Sequence, residues 1–240
     1  MKTFLSITVI GFVAASLCAA DDAKSDVKAA AKKLADKPNY SWTSTPKFEG
    51  GGQGGGFRPG PTEGKIEKGG WVHTVAKFND ATIETVIKGE KGAVKRDEEW
   101  KTVEELEADD QGPGAFMARR IKTFKAPAAQ AEDIADKVNE LKKGEDGMYS
   151  GDLTEEGAKA LSSFGGRRPG GTGGPQNAKG TAKFWVKDGV LAKYEYNLQS
   201  TMKRPDSDEE IKVNRTTTVE IKDTGTTKVS IAAEVKKKLQ

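Results

Sequence analysis

The sequence predicts an α+β fold: a strongly curved antiparallel sheet, an open half-barrel, covered by a helical lid. Three observations predict it. The last third of the chain alternates apolar and polar residues over long runs, as strands with one buried face do. The middle third carries apolar residues at helical spacing, punctuated by Pro and Gly. Only 35% of the 240 residues are hydrophobic, too few to bury both faces of long strands, so one face stays wet. A sheet of that kind twists, and its apolar face needs a cover that the helices can supply.

The first segment, "MKTFLSITVIGFVAASLCAA", has a basic start at Lys2, an apolar stretch and small residues before an acidic pair. That is the layout of a secretory signal peptide, shorter than a bilayer span. Cleavage is expected after Ala20, leaving a periplasmic or secreted chain. Leu17 is bulky where a lipidation signal wants a small residue, which argues against a lipid anchor at Cys18. Cys18 is the only cysteine, so the mature chain has no disulfide and rests on its core.

Residues 21–240 read as one domain. Ala23, Val27, Ala30, Ala31 and Leu34 form the apolar stripe of a helix over 22–37, ended by Pro38. "NYSWTSTPKFE" opens the sheet, and "KGGWVHTVAKF" with "ATIETVIKG" forms a hairpin. "GAVKRDEEWKT" adds a strand and "KTVEELEAD" a short helix. "GPGAFMARRIKTFK" sets Phe116, Met117, Ile121 and Phe124 along one side of a helix. Pro127 starts another helix that Gly144 is expected to cap, with Ala131, Ile134, Ala135, Val138 and Leu141 buried. A strand over 148–152 precedes a helix capped by Thr154. Asp188 and Gly189 join two alternating strands in a two-residue hairpin. "IKVNRTTTVEI" and "TKVSI" close the sheet, and a short helix over 232–239 ends the chain.

Two glycine-rich stretches, 50–64 and 165–180, stand out. The first matches a dinucleotide-type glycine spacing only through its glycine density. The Phe-Arg-Pro-Gly that follows cannot start the helix that a phosphate loop needs. Both stretches are expected to be rim loops, with Arg58, Arg167 and Arg168 as candidate contacts to an envelope surface or membrane protein.

The chemical inventory points away from catalysis. His73 is the only histidine and lies in a strand pattern. A serine nucleophile would have no other histidine as its base, and no His-Cys metal cluster can form. The net charge of +3 comes from interspersed lysines and acids, so no basic stripe for nucleic acid exists. No cofactor and no metal are expected. What remains is space under the lid. Phe116, Ile121 and Phe124 on the cover are expected to face Phe184, Tyr194, Tyr196 and Leu198 on the sheet. Between them lies either a filled core or a cavity for an acyl chain.

The order of these elements resembles the LolA-like superfamily of periplasmic lipoprotein carriers and lipid-binding relatives. The resemblance rests on the amphipathic helix after the signal, "MYSGDLTEEGAKAL", the strand pair "KFWVKDGVLAKYEYNLQ" and the closing "RTTTVEIKDTGTTKVSIAAEVKKKL". It implies an open β-barrel with a helical lid that holds acyl chains, and a hydrophobic ligand or lipid as partner. The alternative is an envelope interaction protein with a filled core that meets its partner through the Gly/Arg stretches.

Overall fold

The computed structural model describes residues 15–49, 59–78, 81–96, 98–108, 113–163, 174–203 and 210–240. Eleven antiparallel strands form one curved sheet that does not close into a barrel. Six come from the first half of the chain: β1 (Asn39–Glu49), β2 (Pro59–Glu67), β3 (Trp71–Phe78), β4 (Ala81–Lys88), β5 (Lys91–Arg96) and β6 (Glu99–Thr102). Five come from the second: β7 (Lys142–Lys143), β8 (Met148–Asp152), β9 (Gln176–Lys187), β10 (Val190–Lys203) and β11 (Glu210–Lys222). The order runs β6-β5-β4-β3-β2-β1-β11-β10-β9-β8-β7, so the first and last strands join at the centre. Strand twist curls the sheet, and register shifts in the β2–β3 and β9–β10 pairs sharpen the bend.

The helices lie on the concave face in two groups. α1 (Ala15–Ala35) and α5 (Glu155–Ser162) cover β9 and β10, and α4 (Pro127–Asp136) packs on α1, reaching Tyr194 of β10 through Gln130. α2 (Val103–Glu107) and α3 (Pro113–Lys122) cover β5 and its neighbours. The α1 stripe is buried as its spacing predicts, with Val27, Ala31 and Leu34 fully enclosed. Thr154 caps α5, its hydroxyl accepting from the Gly157 N–H at 2.9 Å. α6 (Ala233–Lys238) packs on the convex face instead, where Ile231, Val235 and Leu239 meet Val86, Ala93 and Trp100.

Several boundaries differ from the sequence expectation. β2 begins at Pro59 and β9 at Gln176, so the glycine-rich loops expected over 50–64 and 165–180 are shorter. Residues 50–58 and 164–173 lie outside the described residues, and so do Arg58, Arg167 and Arg168. α4 stops at Asp136, well before Gly144. There the backbone turns to β8: Asn139 N–H donates to the Asp152 carbonyl and Thr154 N–H to the Lys137 carbonyl. Val138 and Leu141 are buried all the same. "GAVKRDEEWKT" makes two strands, β5 and β6. "TKVSI" is not a strand; a turn at Asp223, whose carbonyl accepts from Thr227, sends the chain across the convex face. α1 starts at Ala15 rather than 22.

Candidate functional site

The concave face is fully buried at one end and partly exposed at the other. Alternation puts Tyr40, Trp42, Ser44, Pro46 and Phe48 of β1 on that face. Register sets Ile221, Val219, Thr217 and Arg215 of β11 beside Trp42, Ser44, Pro46 and Phe48. Tyr194, Tyr196 and Leu198 of β10 continue the rows. Near the tight turns the row is closed: Tyr40 is 2% exposed, Val219 2% and Tyr194 0%. Toward the opposite rim, where β1 leads into the first glycine-rich stretch, Pro46, Val213 and Met202 are half-buried and Phe48 is 37% exposed.

The expected site residues fall into two groups. Phe184 and Tyr194 are fully buried and stack with ring centroids 6.4 Å apart. The Tyr194 hydroxyl donates to Gln130 of α4, and Tyr149 beside Phe184 donates to Asp26 of α1. Tyr196 and Leu198 are buried along the same row. Phe116, Ile121 and Phe124 sit over the other half of the sheet. Ile121 presses on Gly92 of β5, where an added Cβ would come within 2.4 Å of its Cγ2. Phe124 lies 6.4 Å from the Trp42 ring. Phe116 and Phe78 of β3 flank the Arg120 guanidinium at 5.8 and 5.5 Å. The expected confrontation of Phe116, Ile121 and Phe124 with Phe184, Tyr194, Tyr196 and Leu198 is thereby corrected. α1 and α5 take the place over β10, and α3 sits on β5 instead.

Sequence reasoning missed Trp42, Arg120 and Arg215. The alternation in "NYSWT" signals that Tyr40 and Trp42 share a face. No comparable signal marks an inward arginine. A hollow of about 540 Å³ lies on the outer side of β8 and β9, lined by Glu140, Lys142, Ser150, Asp152, Thr181 and Lys183 among others. It is separate from the concave face, and its lining mixes charged and hydroxyl side chains with Gly151 and Ala182. His73 is also on the outer side, 2.8 Å from Glu84. Among the described residues no group of three or more His, Cys, Asp or Glu could hold a metal ion, and no helix is long and apolar enough to cross a membrane.

Burial pushes the Tyr40 phenol from its ordinary value near 10 up to about 12, offset in part by a hydrogen bond with the Ala128 backbone. Burial, then the nearby Tyr196 and Tyr40, raise Tyr194 well above its ordinary value. A phenol whose folded value is raised favours the fold fully below its unfolded value, and that contribution is lost as pH climbs toward the folded value. Stability is therefore expected to fall above about pH 10, by roughly 1.4 kcal/mol per pH unit for each tyrosine. Urea midpoints across that window check it, and Tyr40→Phe should flatten the fall. A flat wild-type profile would contradict the burial.

The fold and this face define a class, the open half-barrel with a divided helical cover. No protein-family model matches the sequence, and no curated protein matches it. Among solved structures, the chain is similar to the lipoprotein LppX of Mycobacterium tuberculosis, at 10% identity and a TM-score of 0.49, over 88% of this chain and 99% of that one. It is also similar to LprF from Mycobacterium bovis, at 12% identity and a TM-score of 0.45, over 88% and 96% of the two chains.

Proposed function

We propose that this protein binds a lipid, an acyl chain or another hydrophobic ligand on its concave face, without catalysis, outside the cytoplasm after loss of residues 1–20. One observation carries the reading: the sheet stays open, and its apolar concave face is buried under α1 and α5 but left half-covered toward Phe48. An alkyl chain lying along Phe48, Pro46 and Met202 at the half-covered end would gain about 0.8 kcal/mol for each buried methylene. The only histidine points away from this face and is engaged by Glu84, which supports a non-catalytic role. The test is lipid mass spectrometry on the purified chain, followed by displacement of a fluorescent fatty acid from delipidated protein. A co-purifying lipid or saturable displacement is expected. A clean protein that binds no probe sinks the reading and favours the interaction protein with a filled core.

A further inference from the structure

We propose that the ligand carries an anionic head group, a carboxylate or a phosphate, gripped by Arg120 and Arg215 on the concave face. This rests on the binding role above and adds a chemical class to it.

Arg120 projects from α3 between the rings of Phe116 and Phe78. Among the described residues no carboxylate pairs with it. Two positions on, Lys122 has Glu107 at 2.7 Å, so an acid was available to this helix and went to the outward cation. Burial lowers the Arg120 value below that of a free guanidinium. Arginine does not shed its proton to escape such a site, and it carries five N–H donors. The two rings face the guanidinium and offer a modest cation–π attraction, but they accept none of those donors as a carboxylate would. Arg215, on the other side of the face, has an unmet donor of its own. It shares the inward row of β11 with Thr217 and Val219, and its Nε is buried with no hydrogen-bond acceptor. Buried donors without acceptors are costly, and a cation more so.

The two arginines belong to one end of the sheet. Phe78, under Arg120, is the last residue of β3, and it pairs with Pro59 at the start of β2. Arg215 pairs with Phe48 near the end of β1. The strand order β3-β2-β1-β11 sets Phe78 and Arg215 three strands apart, about 14 Å at a strand spacing of about 4.8 Å. Sheet curvature turns both inward. The rim thus carries two arginines that no carboxylate pairs with among the described residues, above an apolar row, the arrangement that suits an amphiphile with a charged head and an alkyl tail. A free fatty acid and a phospholipid supply the same head-group charge.

The experiment titrates delipidated full-length protein with palmitate, palmitoyl lysophosphatidic acid and hexadecanol, which share a chain length. At least one anion should bind about tenfold or more tighter than hexadecanol, as charge-assisted hydrogen bonds predict. Preference for palmitate assigns a carboxylate, and preference for the lysophosphatidic acid assigns a phosphate. Arg120→Met and Arg215→Met, which keep an apolar stem, should each remove most of that preference, read as the ratio of anion to hexadecanol affinity in the same variant. Their Tm without ligand should hold or rise, because an unpaired cation leaves the interior; a lower Tm with unchanged preference marks a structural arginine and overturns the proposal. Equal binding of all three ligands by the wild type overturns the head group but leaves the binding role standing. Binding of none overturns both.

Discussion

Phe184→Ala is expected to lower the stability of the fold by about 3–5 kcal/mol, the range for deleting a buried ring. Phe184 has no exposed surface, and β9 lies between β8 and β10. Its register partners are Tyr149 on one side and Tyr194 on the other, so three aromatic side chains sit in one row across three strands. The hydroxyls of both tyrosines are tied to helices, Tyr194 to Gln130 and Tyr149 to Asp26. Neither ring can slide into the vacated space without breaking a hydrogen bond, so the cavity persists and most of its cost is paid. For a domain whose total stability is on the order of 5–15 kcal/mol, that loss is a large fraction. Urea unfolding followed by circular dichroism measures it. A loss under about 1 kcal/mol would mean the row repacks freely and is not the anchor of this half of the sheet.

Gly64→Ala is expected to cost about 1–3 kcal/mol, and Gly64→Val more. Gly64 of β2 stands opposite Trp42 of β1, and the indole lies across it. An added Cβ would fall 2.1 Å from the Trp42 Cζ2 atom. The indole has little freedom to retreat: it is 5% exposed, with Tyr40 at 6.0 Å on one side and Phe124 at 6.4 Å on the other. Displacing it disturbs both the buried end of the concave face and the seat of α3. Thermal unfolding and the shift in tryptophan emission relative to the wild type report the two effects. Gly69→Ala is the control, since its Cβ would meet nothing closer than 3.8 Å. Equal behaviour of Gly64→Ala and Gly69→Ala would rule out the close approach.

The elements most legible in the sequence are those whose information is local. The Asp188–Gly189 turn shows as a hairpin, and both residues adopt positive φ. The strand over 148–152 and the Thr154 cap fall where the spacing puts them. β2 was hidden because "PGPTEGKIE" has little intrinsic strand preference. It is a strand because β1 and β3 pair with it on both sides, and its glycine admits the Trp42 ring. The end of α4 was hidden for the opposite reason: its helical stripe continues to Leu141, but hydrogen bonds to β8 outcompete the helix. Which strands each helix would cover was not legible at all. Periodicity identifies the apolar face of α3 but not its seat, so Phe116, Ile121 and Phe124 were matched to the wrong half of the sheet. Arg120 and Arg215 were invisible because an inward arginine and a solvated one read alike along a chain.

The pairing of β1 with β11 has a consequence for how the molecule is made. The Ser41–Asp223 hydrogen bond along that seam spans 182 residues. Such distant pairings are slow to form, because most of the chain must be ordered before they reward it. Until β11 emerges from the ribosome, β1 and β10 are raw borders, open to any strand from a neighbouring molecule. Proteolytic loss of the segment beginning at Glu210 would therefore be a bisection rather than a trimming, leaving two half-sheets with no common backbone ladder.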